Sequence, residues 1–285
     1  MSEVNGRTHD YHAEATVLQG HLRLPLVQEI KPQAFAKLPE TGGYLSQRAE
    51  DYRLESVISF HSAYTQVAGN LDVKPGHGWT TLTTTVVEGL NVLDVLTADR
   101  VVGQVLTEHP LVGYVPSISF LGSRFENLRI AGHPVDLDLD LDILGGKPED
   151  DAAYTRNQAL KERIAGQEEP LGEHQGLLAE LREGYNRLFP CAEGGEEKPE
   201  TLECSLVNRA DGGYPGRSSG HIIDVPNFGK IILARLSLQQ KNFNQKTGVP
   251  ETTSLRLTMI DLVLGCPIAG NTGVGVLSTN GANKP

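Results

Sequence analysis

One stretch constrains the fold of this chain more than any other: Pro134-Val135-Asp136-Leu137-Asp138-Leu139-Asp140-Leu141-Asp142-Ile143. Apolar and acidic residues alternate through it with a period of two, the period of a β-strand, whose successive side chains point to opposite faces. Val135, Leu137, Leu139, Leu141 and Ile143 therefore line a face that needs a core. Asp136, Asp138, Asp140 and Asp142 line a face that needs water or cations.

The rest of the chain carries strand and turn signals of the same kind. Tyr11 to Leu26 reads as one or two strands after a disordered lead-in over residues 1–9. Ile30 to Tyr44, with Pro32, Pro39 and Gly42-Gly43, reads as a loop crossing between sheets. In Tyr52 to Ala68, Tyr52, Leu54, Ile58, Phe60 and Tyr64 fall on one face. Trp79 to Val87 is rich in threonine, which favours strand, and residues 89–130 predict at least three more strands. β character returns at Cys204 to Val207, His221 to Val225, Lys230 to Gln240 and Thr252 to Leu264. The 31 Gly and 16 Pro lie between short apolar runs, as many turns require.

Between these halves the pattern changes. Asp150 or Asp151 is placed to cap a helix running to about Ala165. A second helix after Pro170 would align Leu177, Leu178, Leu181, Tyr185, Leu188 and Phe189 on one stripe before Pro190 ends it. The expected architecture is mainly β: an antiparallel β-sandwich or β-roll with an inserted helical hairpin. Residues 1–146 form its N-terminal β half, 147–203 an acidic helical insertion, 204–269 a C-terminal half completing the same domain, and 270–285 a Gly/Asn-rich tail available for pairing with a sheet edge.

Charge narrows the partners. The formal net charge of −11 argues against electrostatic capture of nucleic acid or of an anionic membrane. From Lys147 to Cys204 there are 14 acidic and 7 basic residues, so much of the acidity is regional. No apolar run approaches the roughly 20 residues that span a bilayer. The first residues lack the basic and then apolar regions of a secretory signal, which predicts a cytoplasmic chain unless a signal has been removed. Cys191 and Cys204 flank an acidic loop and can pair in an oxidising setting, leaving Cys266; the alternative is three unpaired thiols.

Residues 42–104 carry a resemblance. The stretch GNLDVKPGHGWTTLTTTVVEGLNVLDVLTADRVVGQ, with Leu90-Asn91-Val92-Leu93-Asp94-Val95-Leu96-Thr97-Ala98-Asp99-Arg100-Val101-Val102 at its centre, resembles the bacterial proteins labelled choice-of-anchor P. The resemblance implies a β-rich, exported protein, extracellular through a variable C-terminal anchor. It implies no chemistry and no functional residues.

Candidate chemistry is sparse. Four aspartates spaced roughly 6.6–6.8 Å apart on one strand face repel one another unless cations or basic neighbours intervene. Asp136, Asp138, Asp140 and Asp142 are therefore the candidate metal ligands, for Ca²⁺, if neighbouring strands add oxygen donors. The competing reading is a solvent-facing strand whose charge deters edge pairing. The nine histidines form no HxH, HExxH or zinc spacing. Ser218-Ser219-Gly220-His221 lacks the nucleophile elbow, and an acid pair such as Glu126 with Asp99 is the remaining hydrolase candidate.

The sequence thus predicts no enzyme and no cofactor other than Ca²⁺. The expectation is a non-enzymatic structural or assembly protein forming a homo-oligomer through β edges, hairpin or tail. The alternatives are a carbohydrate-type or Ca²⁺-stabilised binding module, marked by an exposed aromatic strip from Trp79, Tyr114 or Tyr214, and a hydrolase with a loop-built site.

Overall fold

The computed structural model describes residues 2–4, 7–24, 27–71, 78–168, 200–265 and 268–284. Of these, 66% are strand and 7% helical, in two antiparallel sheets.

Sheet A has eleven strands. Its path runs β1 (Ser2–Val4), β2 (Arg7–Asp10), β20 (Ala269–Lys284), β19 (Pro250–Leu264), β18 (Gly229–Phe243), β17 (Ile222–Val225), β16 (Arg217–Ser219). β3 (Ala13–Leu24) also pairs with β20 and carries β4 (Gln28–Gln33) and β5 (Ala36–Lys37), while β14 (Glu200–Ser205) pairs with β18. Sheet B has nine strands. Its path runs β15 (Val207–Gly212), β13 (His133–Leu139), β12 (Arg129–Ile130), β9 (Leu96–His109), β8 (Trp79–Val92), β7 (Ile58–Leu71), β6 (Gly43–Leu54); β10 (Ser117–Ser119) and β11 (Arg124–Glu126) pair with β9.

β3, β19 and β20 pack against β7, β8 and β9, and both sheets supply the main core, from Val87 and Val101 to Leu257 and Leu277. The chain crosses between sheets at Leu206, the residue between β14 and β15. Its N–H donates to the Ala234 carbonyl at 3.1 Å, and its carbonyl accepts from Asp140 N–H at 2.8 Å.

Several expectations are corrected. The first residues form β1 and β2, so the expected disordered lead-in is strand where the structure describes it. The expected tail is β20, which pairs with β19 along one side and with β3 and β2 along the other. Valine and leucine at Val274, Val276 and Leu277 are buried, and this outweighs the polar look of the segment. Tyr52 and Ile58 belong to two strands of one hairpin, turned at Glu55, rather than to one strand.

The helix α1 spans Gln158–Glu168, starting later than expected. Asp150 and Asp151 have φ of 54° and 53°, which makes them turn residues. Asn157 caps instead, its Oδ1 accepting from Leu160 N–H at 3.1 Å. Leu160, Ile164 and Gln167 form the buried stripe of α1. The second expected helix, with its stripe from Leu177 to Phe189, lies outside the described residues.

Both sheets are creased. In sheet B the pairing skips Asp51 and His61 between β6 and β7, Phe60 and His61 with Gly89 and Leu90 between β7 and β8, and Gly89 and Asp99 between β8 and β9. In sheet A it skips Ala234, Met259, Gly275 and Val17, across β18, β19, β20 and β3. In each crease alternate strands carry a left-handed residue: Asp51 (φ 49°) and Gly89 (65°), then Ala234 (43°) and Gly275 (63°).

Each crease skips the same number of residues on both strands, so the register is kept while the left-handed residue shifts which side chains face in. Core residues accordingly stand three apart across each crease instead of two: Phe60 and Ala63, Val87 and Leu90, Leu233 and Leu236, Leu257 and Ile260. A side chain at Gly275 would meet Thr85 Oγ1 at 3.1 Å and Met259 Cβ at 3.2 Å, so the crease of sheet A lies directly against sheet B.

Candidate functional site

Chemistry-bearing side chains converge at three places, and a fourth feature, an open edge, presents backbone rather than side chains.

The first is a sealed aromatic cluster. His9 from β2 and His109 from β9 have ring centroids 4.6 Å apart. His9 stacks on Trp79 at 5.3 Å with the planes 16° apart, and meets Tyr11 edge-on at 4.7 Å. All four are at most 1% exposed. They lie beside a small second core formed by Tyr11, Ala13, Ala15, Ala36, Leu38, Val67 and Trp79. Burial holds His109 well below the usual histidine range, and His9 and Lys147 push the same way; the Gly281 backbone opposes them only in part. Sequence reasoning missed this pairing. Its one signal is that His109 stands directly opposite Trp79 in the register of β8 and β9.

The second is a buried ionic group in sheet A. Arg235, 5% exposed, donates to Asp261 Oδ2 at 3.4 Å and to Glu203 Oε2 at 3.3 Å. Burial raises the Asp261 carboxyl even beside this guanidinium. Burial, with Arg235 second, lowers the nearby His221 to about 4. His221 is therefore a neutral interior group, and the Ser218-Ser219-Gly220-His221 sequence is β16 and a turn.

The third is the aspartate ladder. The strand ends at Leu139, shorter than the alternation suggests, because Asp140 to Leu144 turn towards α1. Val135, Leu137, Leu139 and Leu141 pack on the core and Ile143 is inside it, as their spacing predicts. Asp136 stands opposite Asp211, and Asp138 opposite Arg209; Arg209 also binds Asp211 at 2.7 Å. Asp140 Oδ1 accepts from Asp142 N–H at 3.0 Å. The four carboxylates thus divide between a strand and a turn, and among the described residues no group of three or more His, Cys, Asp or Glu is placed to hold a metal ion.

Asp99 and Glu126 lie near each other, since Glu126 stands opposite Arg100, but each has its own partner. Asp99 accepts from Asn127 at 2.6 Å, while Glu126 pairs with Arg124 at 2.7 Å. Trp79 and Tyr214 are buried, and Tyr214 donates to the Ala210 carbonyl at 2.8 Å. Cys204 is a free, buried thiol that burial pushes up to about 12, where it stays protonated; Cys191 and Cys266 lie outside the described residues.

The fourth feature is β6. It pairs with β7 along one side and ends the path of sheet B, so among the described residues no strand is hydrogen-bonded to its other side, although β5 lies close to β6. Leu45, Ala49, Tyr52 and Leu54 lean on the two cores, while Tyr44 is 64% exposed and Arg48 and Glu50, also exposed, pair at 2.8 Å. Backbone donors and acceptors on such an edge are a template for another strand.

Fold and site together define a two-sheet antiparallel β protein in which the His9–His109 and Arg235–Asp261 groups are sealed and, among the described residues, the long strand β6 is paired along one side only. The chain belongs to a family described as a domain of unknown function, DUF8256, whose model matches residues 9–239. That match stops within β18, so β19 and β20 lie beyond it, while β3, one of β20's partners in sheet A, lies within it. No curated protein and no solved structure matches the chain. Among the described residues no helix is long and apolar enough to cross a membrane.

Proposed function

We propose that this chain is a non-enzymatic structural or assembly module: an antiparallel β-sandwich, joined at the Leu206 corner, that self-associates through an open sheet edge. The observation that carries the reading is β6, twelve residues long and paired along one side only among the described residues. The placement of the chemistry agrees with it. His9, His109, Arg235 and Asp261 are all nearly inaccessible, so a substrate has no path to them without opening the sheets.

β20 narrows the choice of surface, because both of its sides are already paired within sheet A. Static light scattering over a concentration series is the test. The reading expects a mass above 30.9 kDa that grows with concentration; a strict monomer throughout overturns it.

A further inference from the structure

Resting on that reading, we propose that β6 pairs antiparallel with β6 of a second copy about a two-fold axis at Ser46, with Tyr44 of each copy against Arg48 of the other.

The crease decides how much of β6 is usable. Asp51, with φ of 49°, reverses the facing of the strand, so that Ala49 and Tyr52 both turn inward. A regular partner can follow β6 only from Gly43 to Glu50. Charge then decides the register. Two copies of one strand pair antiparallel about an axis that passes through a residue, because residues directly opposite each other must share one backbone orientation. An axis at Arg48 sets guanidinium against guanidinium, and one at Glu50 sets carboxylate against carboxylate, both unfavourable across strands. An axis at Ala49 runs into the left-handed Asp51 of both copies after one residue on either side.

An axis at Ser46 meets none of these obstacles. It sets Gly43 opposite Ala49, Tyr44 opposite Arg48 and Leu45 opposite Gln47, in both directions, before Asp51 of either copy is reached. Tyr44 and Arg48 already project from the same sheet face, and an aromatic ring opposite a guanidinium is a favourable pair. The Arg48–Glu50 contact lies in solvent, where such pairs are weak, so Arg48 is cheaply re-partnered. Charge and the crease leave few registers open, and of these, an axis at Gln47 among them, the one at Ser46 sets Tyr44 against Arg48, which selects it for a copy of the same chain.

Cysteine cross-linking and light scattering together test this, in the full chain with Cys191 and Cys266 changed to Ser. Under mild oxidation Ser46→Cys is expected to give a covalent dimer in high yield, since a residue on the axis meets itself, and Gln47→Cys is expected to give little. Ser46→Lys should raise the dimer dissociation constant at least tenfold. Ser46→Ala, which loses the same Ser46 Oγ to Thr65 carbonyl hydrogen bond of 2.9 Å without adding charge, should keep the dimer. Cross-linking at Gln47 in place of Ser46 overturns this register. A dimer by light scattering that cross-links at neither position and ignores Ser46→Lys overturns the use of β6 and leaves assembly standing. A monomer throughout overturns both.

Discussion

His9 and His109 face each other across the two sheets with ring centroids 4.6 Å apart, sealed at no more than 1% exposure. A second proton in this pair would place two like charges at van der Waals range in a medium that solvates neither. The strand β2 is tied to the body partly through these rings, so the cluster sets how the N-terminal edge of sheet A responds to acid.

Acidification is therefore expected to destabilise the fold. For His221 and His109 the folded-state value is lowered, so the unfolded chain takes up protons first. Stability is fully present above the unfolded value, about 6.5, and falls as pH drops from there towards the folded value, about 4 for His221. At a pH of about 5 the His221 imidazole costs about 2 kcal/mol, and His109 acts in the same direction. Asp261, raised by burial, works in the opposite direction and offsets part of this. Trp79 is the only tryptophan in the chain and stacks on His9, so its emission reports on this cluster alone. Thermal melts followed by Trp79 fluorescence at pH about 7.5 and about 5 should show a lower Tm in acid; an unchanged Tm contradicts the neutral-histidine account.

Arg235 and Asp261 should behave as a coupled pair. Arg235→Met leaves the buried Asp261 and the half-buried Glu203 without their guanidinium, and the expected loss is about 3–5 kcal/mol. Adding Asp261→Asn to that variant should recover part of the loss, because the uncompensated charge is gone. Urea unfolding of the two single variants and the double gives the coupling energy; strict additivity would show that the contact at 3.4 Å does not act as a pair.

The creases predict two glycine effects of unequal size. A side chain at Gly89 would meet His61 Cδ2 at 2.2 Å, but His61 is exposed and can swing away. Gly89→Ala then costs chiefly the left-handed backbone, about 1 kcal/mol. Gly275 is held between Thr85 and Met259 inside the core, so Gly275→Ala adds overpacking and should cost about 2–4 kcal/mol. Denaturant midpoints for the two variants check the order.

The aspartates predict opposite signs at neighbouring positions. Asp136 faces Asp211, so Asp136→Asn should gain a few tenths of a kcal/mol, roughly 0.3, whereas Asp138→Asn loses its opposite number Arg209 and should cost about as much. Melting both variants at low salt, where exposed charges are least screened, measures the difference.

How far the sequence could be read follows from period. Where a strand alternates without interruption, as from Val135 to Leu139, residue types alone assign the buried face. At the creases the apolar spacing becomes three, as at Val87 and Leu90, and a period of two applied through Tyr52 to Ala68 misassigned Tyr64, whose neighbours Ala63 and Thr65 are the buried ones. β20 was hidden by composition: its glycines and asparagines resemble a tail, and only pairing along both sides makes it a strand. The His9–His109 contact depends on two sheets meeting, which no local pattern carries. β6 could be seen as a strand, but its place at the end of sheet B is a property of topology.

Hydrogen exchange of the β6 amides as a function of protein concentration tests the central claim most directly. If β6 is the assembling edge, the outward amides between Gly43 and Glu50 exchange more slowly as concentration rises, while those from Tyr52 to Leu54, beyond the crease, do not change. Exchange in Gly43 to Glu50 that is equally fast at every concentration contradicts the account.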